Sequence, residues 1–198
     1  MTLSRRARIF ILMLCLALVS LALAEGLGGR RRRAEAKYTD LILGAANEFS
    51  VPYPLIYAVI RAESDFRADA VSPVGATGLM QLMPETYRFV GSELLEEPVN
   101  PAGITDPAVN IRYGTAYLSY LLSRFPVTET AIAAYNAGEA RVAEWLSDES
   151  LAEGGVLLHI PFQETENYVA KVTRFYDSYC QKFHTERRLK NERRKNSE

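Results

Sequence analysis

"VIRAESDFRADAVSPVGATGLMQLMP", residues 59–84, is where the chain stops reading as generic helix. An apolar run carries Glu63 at its end and breaks into a loop holding Pro73, Gly75 and Gly78. It then enters a second apolar stretch with a single amide, Gln81. Ile56, Val59 and Ile60 fall on one helical face and set the Glu63 end beside packed apolar surface. Desolvation disfavours a carboxylate, so a carboxyl there is pushed toward its protonated form. Half protonation at pH 7 requires lifting a Glu from about 4.3, roughly 3.7 kcal/mol, which partial burial can supply. A surface Glu at a helix end is the plain alternative, and the surroundings decide between the two.

Working outward, the signals are helical. Leu41, Ile42, Ala45, Ala46 and Phe49 recur at helical spacing, and Pro52 and Pro54 interrupt before the helix that ends in Glu63. Pro54 suits a first helical turn. Asp106-Pro107 is an acidic cap followed by proline at the first helical position, and the helix after it stacks Ile111, Leu118 and Leu122 on one face. Pro126 closes it. "TETAIAAYNAGEARVAEWL" reads as two short helices divided at Asn136-Ala137-Gly138, with Gly138 ending the first and Asn136 shaping the turn. Residues 147–162 form a loop with Gly154 and Gly155, and Tyr168, Val172, Phe175, Tyr176 and Tyr179 mark a last amphipathic helix. No strand alternation persists and no repeat appears, so the expected domain is all-α over residues 38–180.

The ends differ from this body. Residues 1–37 hold eight Lys/Arg against two acids and residues 181–198 seven against three, leaving eight basic and nineteen acidic residues in 38–180, a net of −11. An acidic body argues against nucleic acid as a partner, which needs a basic surface. Arg5, Arg6 and Arg8 precede an apolar run from Ile9 to about Ala24 that ends in Ala22-Leu23-Ala24. This reads as an export signal, residues 1–24, with no stable membrane span after cleavage; an uncleaved anchor is the alternative. Residues 25–37, with Arg30, Arg31, Arg32 and Arg33 in a row, read as a basic linker, either attracted to anionic lipid or wall polymer or simply solvated. Residues 181–198 read as a charged tail, an exposed helix extension or disordered. Cys15 falls in the signal, so Cys180 is left alone, expected to be a quiet half-buried thiol, and no internal disulfide forms.

A protonated Glu in a cleft is what cleavage of a glycosidic bond needs, because the leaving oxygen must receive a proton. The blocks around Glu63 carry the reading further. "AESDF", "GATGLMQLMP", "AYNAG" and "IPFQETENYV", in this order, with "DPAVNIRYGTAYLSYLL" between the second and third, resemble the SLT-type lytic transglycosylases of the goose-type lysozyme-like superfamily. The resemblance covers residues 52–180. Single short motifs arise by chance, whereas four in order are specific.

The resemblance implies a lysozyme-like helical domain with a glycan groove and Glu63 as sole catalytic acid and base. Ser72 would hydrogen-bond near that carboxyl and orient it. Gln81 and Met83 would line the groove, Tyr135 would stand close to the acid, and Glu164 would bind sugar or peptide substituents. Read as residues alone, Met83 also fits a core, Tyr135 a packed ring and Gln81 a loop amide. The implied substrate is peptidoglycan. Glu63 would protonate the oxygen between N-acetylmuramic acid and N-acetylglucosamine, then deprotonate the muramic C6 hydroxyl, giving a 1,6-anhydro end. No metal or cofactor is implied, and His159 and His184 stand apart in sequence. Asp65 or Asp69, if close to Glu63, would permit ordinary hydrolysis instead. A catalytically idle glycan-binding or scaffold protein is the reading from another class. The expected location is the periplasm or cell envelope of a bacterium, and service to an envelope or secretion apparatus stays open beside growth and recycling.

Overall fold

The computed structural model describes residues 5–195; residues 1–4 of the signal-like segment and 196–198 of the tail lie outside it. The chain divides after Lys37 into two units. Residues 5–37 of the first are helical throughout, as the start of α1 (Arg5–Phe49). The basic linker expected at 25–37 therefore lies within a helix. Gly26, Gly28 and Gly29 each disfavour it by about 1 kcal/mol, but arginine, alanine and glutamate around them are strong helix formers. Among the described residues, no helix is long and apolar enough to cross a membrane.

The second unit begins with the last turns of α1. Tyr38, Ile42, Ala45 and Ala46 are buried there, while Leu41, counted with the apolar face in the sequence, is exposed. Pro52 precedes α2 (Tyr53–Glu63) and Pro54 sits in its first turn, where a missing N–H costs nothing. Six consecutive residues of α2, Leu55 to Ile60, are buried, as in a helix packed on all sides. It packs against α7 (Gln163–Lys195), one continuous helix that includes the charged tail as far as Lys195. Cys180 on α7 is exposed rather than half-buried, because only one face of this helix meets the core.

Between them come α3 (Pro84–Phe89), a π-type turn Val90–Leu94, a 3-10 turn Pro101–Thr105, α4 (Pro107–Arg124), α5 (Thr128–Ala137) and α6 (Glu139–Leu146). Asp106 caps α4 as expected, accepting from Ala108 N at 2.9 Å and Val109 N at 3.0 Å. The buried seam of α4 carries Ile111, Leu118 and Leu121, with Leu122 only half-buried. The 3.6-residue period would set Leu122 nearer the line of Ile111 and Leu118 than Leu121, so it is the packing of neighbouring helices, and not the period, that buries Leu121. Gly138 ends α5 at φ +93° and ψ 144°, a region essentially reserved for glycine. The 147–162 loop contains a two-residue hairpin, β1 (Ala152–Glu153) with β2 (Val156–Leu157), turned by Gly154 and Gly155, both at positive φ. The unit is all-α apart from this hairpin.

Candidate active site

Glu63 is the last residue of α2, and the chain reverses sharply behind it. Asp65 and Phe66 both take positive φ, and Phe66 is buried beneath the turn. Ser64, also buried, donates its hydroxyl to Leu79 O at 2.8 Å, tying the helix end to the apolar stretch after the loop. The loop is built from its own polar groups. Ser72 and Ala76 pair through Ser72 N to Ala76 O at 2.8 Å and Ala76 N to Ser72 Oγ at 3.0 Å, around Gly75 at φ +91°. Gly78, at φ +83°, lies so close to α4 that a Cβ there would come within 2.4 Å of Asn110 Nδ2.

Asn110 is the residue that holds this loop. It is fully buried, accepts from Met80 N at 2.8 Å, and donates to Thr77 O at 3.0 Å and Ile104 O at 2.8 Å. Gln81, itself at positive φ, donates its amide to Ala70 O at 3.0 Å and Gly78 O at 2.9 Å. Its side-chain nitrogen therefore braces the loop. Met83, just before α3, is 39% exposed and so is not core.

The Glu63 carboxyl opens into a cavity of about 300 Å³ lined by Ala62, Glu63, Asn136, Glu164, Asn167, Tyr168 and Lys171. Tyr168 donates its hydroxyl to Glu63 Oε1 at 2.6 Å. Lys171 Nζ donates to Ala62 O at 2.7 Å. Burial pushes the Glu63 carboxyl up to about 7, against the opposing pull of the Tyr168 hydrogen bond and the Lys171 charge. The group is thus poised to give or take a proton near neutrality. Burial, with the nearby Glu63 charge, holds the Tyr168 and Tyr135 hydroxyls well above the usual phenol range, so both stay protonated donors. Tyr135, half-buried at the end of α5, donates to Met80 O at 2.9 Å and so joins the "AYNAG" turn to the loop. Thr165, buried, donates to Asn136 Oδ1 at 2.8 Å and joins the same turn to α7.

The structure thus brings Glu63 and Glu164 into one cavity, with Tyr135 close enough to feel the Glu63 charge. Ser72 does not reach the carboxyl; its hydroxyl serves its own turn, and Tyr168 supplies the orienting hydrogen bond. Asp65 and Asp69 are exposed and do not line the cavity. Among the described residues, no cluster of three or more His, Cys, Asp or Glu side chains could hold a metal ion.

Sequence reasoning passed over Tyr168, Lys171 and Asn167. Tyr168 reads as a core position of an amphipathic helix, and it is indeed buried; what it buries against is an acid 105 residues away. One signal was available. Glu164, Tyr168 and Lys171 are spaced four and three apart, which stacks them on one helix face.

The family described as "Transglycosylase SLT domain" matches residues 40–154, more than half of the chain. The soluble lytic murein transglycosylase of Escherichia coli K12 is 36% identical over 151 residues, 74% of this chain and 23% of that protein. The membrane-bound lytic murein transglycosylase C of Haemophilus ducreyi is 29% identical over 168 residues, 72% of this chain and 45% of that protein. Among solved structures, the inactive Glu-to-Gln mutant of the lytic transglycosylase Slt of Pseudomonas aeruginosa superposes with a TM-score of 0.65 at 38% identity, covering 74% of this chain and 24% of that one. A 70-kDa soluble lytic transglycosylase in complex with bulgecin A gives 0.66 at 34% identity, covering 77% and 25%. The chain spans less than half the length of each of these relatives. With the four blocks, the helical lysozyme-like architecture and the match over residues 40–154 in agreement, the chain belongs to the transglycosylase SLT domain family.

Proposed function

We propose that this chain is a peptidoglycan lytic transglycosylase that cleaves the bond between N-acetylmuramic acid and N-acetylglucosamine without water, leaving a 1,6-anhydro-muramic end. The observation that carries this is the state of Glu63: a carboxyl lifted to about 7 by burial, hydrogen-bonded by Tyr168, in a cavity open to solvent. One group near neutrality can act twice. Protonated, it gives its proton to the glycosidic oxygen as the C1–O bond breaks, and the substrate's own N-acetyl group helps stabilise the cationic sugar. As a carboxylate, held by the Tyr168 hydroxyl, it takes the proton of the C6 hydroxyl as that oxygen bonds to C1. The internal attack is favoured by the high effective molarity of a group on the same ring. The names of the relatives, murein transglycosylases, support the same substrate class.

Around Glu63 we assign Tyr135 and Glu164 to the substrate groove, Glu164 facing sugar or peptide substituents, with Gln81 and Met83 along the wall formed by the loop. Ser72 is assigned to that wall through the shape of its turn. The catalytic domain is taken as 38–180, the signal as 1–24, the basic segment as 25–37 and the charged extension as 181–198. Such an enzyme belongs in the cell envelope of a bacterium, with glycan strands as its partner.

Hydrolysis by a lysozyme-type muramidase is the second reading, and one observation favours it. Glu164 lines the same cavity as Glu63, so a second carboxyl is available to activate water. Mass spectrometry of peptidoglycan digested by the chain separates the two. Anhydro ends from the wild type and none from Glu63→Gln support the transglycosylase; reducing ends support the hydrolase. No cleavage by a folded wild-type chain would leave a glycan-binding protein.

A further inference from the structure

The acidic body 38–180 contains a single lysine, Lys171, among nineteen acids. It is spent neither on a surface ion pair nor on a solvated face: its Nζ donates to Ala62 O at 2.7 Å, at the end of α2. The last carbonyls of a helix have no partner within the helix. Here Ile60 O accepts from Ser64 N and Ser64 Oγ, Arg61 O accepts from Asp65 N, and Ala62 O accepts from Lys171. A cation at this position also meets the negative end of the helix dipole. The next residue is Glu63, whose carboxyl shares the cavity with Lys171. Tyr168, one turn back on the same face of α7, holds that carboxyl directly. Two side chains three residues apart on one helix thus fix the main chain before Glu63 and the side chain of Glu63.

We propose that Lys171 is a positioning residue for proton transfer by Glu63: it caps the last turn of α2 through the Ala62 carbonyl and keeps a positive charge beside the carboxylate that must take a proton back. This rests on the reading of Glu63 given under Proposed function. The titratable groups around Lys171 are Glu63 from α2 and Glu164 and Tyr168 from its own helix; from α5, Asn136 faces the cavity without charge and Tyr135 acts on Glu63. A lysine that only pinned two helices together would affect stability alone. The assigned role requires an effect on turnover and on its pH dependence.

The test uses the full 198-residue chain and a soluble glycan prepared from peptidoglycan, with Lys171→Met, Lys171→Gln, Lys171→Arg and Glu63→Gln. Lys171→Met is expected to lower kcat about tenfold or more at about pH 6, with KM within about twofold. It is also expected to move the descending limb of kcat to higher pH, since a cation that favours the carboxylate has gone. Lys171→Arg restores most of both. Lys171→Gln keeps a donor for Ala62 without the charge, so its limb stays displaced. An unchanged kcat and limb with only a lower Tm in Lys171→Met overturns the proposal, as does a raised KM at unchanged kcat. Should Lys171→Met fail to fold, a limb in Lys171→Gln that coincides with that of Lys171→Arg overturns it equally. Turnover retained by Glu63→Gln sinks the Glu63 reading itself, whereas an inactive Glu63→Gln beside a normal Lys171→Met sinks only the role of Lys171.

Discussion

Tyr168 donates its hydroxyl to Glu63 Oε1 at 2.6 Å, joining the start of α7 to the end of α2 across 105 residues. A hydrogen bond this short to a carboxylate belongs to the stronger, charge-assisted kind. It favours the ionised form and so works against the burial that raises the group to about 7. Removing it in Tyr168→Phe leaves burial less opposed, and the carboxyl becomes harder to ionise. Because the first step needs the protonated acid, wild-type kcat/KM should fall as pH rises through about 7, and in Tyr168→Phe that midpoint should lie higher. The turnover number should drop about tenfold to a hundredfold, the range for a hydrogen bond to a charged group. A midpoint that stays put or moves down in the pH profile would show that Tyr168 does not act on the ionisation of Glu63.

The same carboxyl makes stability depend on pH. Its folded-state value, about 7, lies above the ordinary 4.5. Protonated in both states at low pH, it carries no penalty below about 4.5; as pH rises through 7 the folded state loses on the order of 3 kcal/mol. Glu63→Gln has no charge to bury. It should match the wild type near pH 4 and exceed it in urea-unfolding free energy by a few kcal/mol near pH 8, while losing at least about a thousandfold in activity. Equal stability of the two at pH 8 would mean that the carboxyl is not desolvated.

Glu164 separates the two chemical readings. If it binds substituents of the glycan, Glu164→Gln keeps anhydro products and raises KM several-fold with kcat little changed, the pattern of lost uniform binding. If it activates water, the same variant loses a reducing-end product and its kcat collapses by a hundredfold or more. Product analysis and initial rates on one glycan preparation measure both quantities together.

What the sequence made legible is local. The apolar run before Glu63, the Asp106 cap and the Gly138 break each follow from neighbours within a turn or two, and each stands where the pattern puts it. The elevated carboxyl follows likewise from apolar residues three and seven positions away. The missing parts depend on contacts that no local pattern encodes. The partner of Glu63 is Tyr168 and not Ser72, because the loop turns Ser72 into its own hydrogen bonds while α7 crosses the end of α2. Similarly, Leu121 rather than Leu122 continues the buried seam of α4, a choice set by the helices packed against it. The helix through residues 25–37 was hidden by its glycines, whose individual preferences the flanking arginines and alanines outweigh.

Asn110 gives the most direct test of how the loop is held. Its side chain makes three hydrogen bonds to main-chain groups of Thr77, Met80 and Ile104, with no exposure to solvent. Met80 in turn accepts from Tyr135 through its carbonyl, so the second and third blocks meet there. Asn110→Ala leaves Met80 N and Ile104 O without partners, takes from Thr77 O one of its two donors (Leu82 N stays at 3.0 Å), and opens a small void. The expected loss is about 3 kcal/mol or more of folding free energy. Because the loop is freed first, limited proteolysis should cut within residues 70–83 well below the denaturant midpoint of the whole domain. Gly78→Ala should act in the same direction by another route, since the new Cβ meets Asn110 at 2.4 Å and the residue sits at φ +83°. The double variant should then lose much less than the two single losses combined, because both act on one contact. Additive losses in a double-mutant cycle, or a change below about 1 kcal/mol for Asn110→Ala, would show that the loop is held elsewhere.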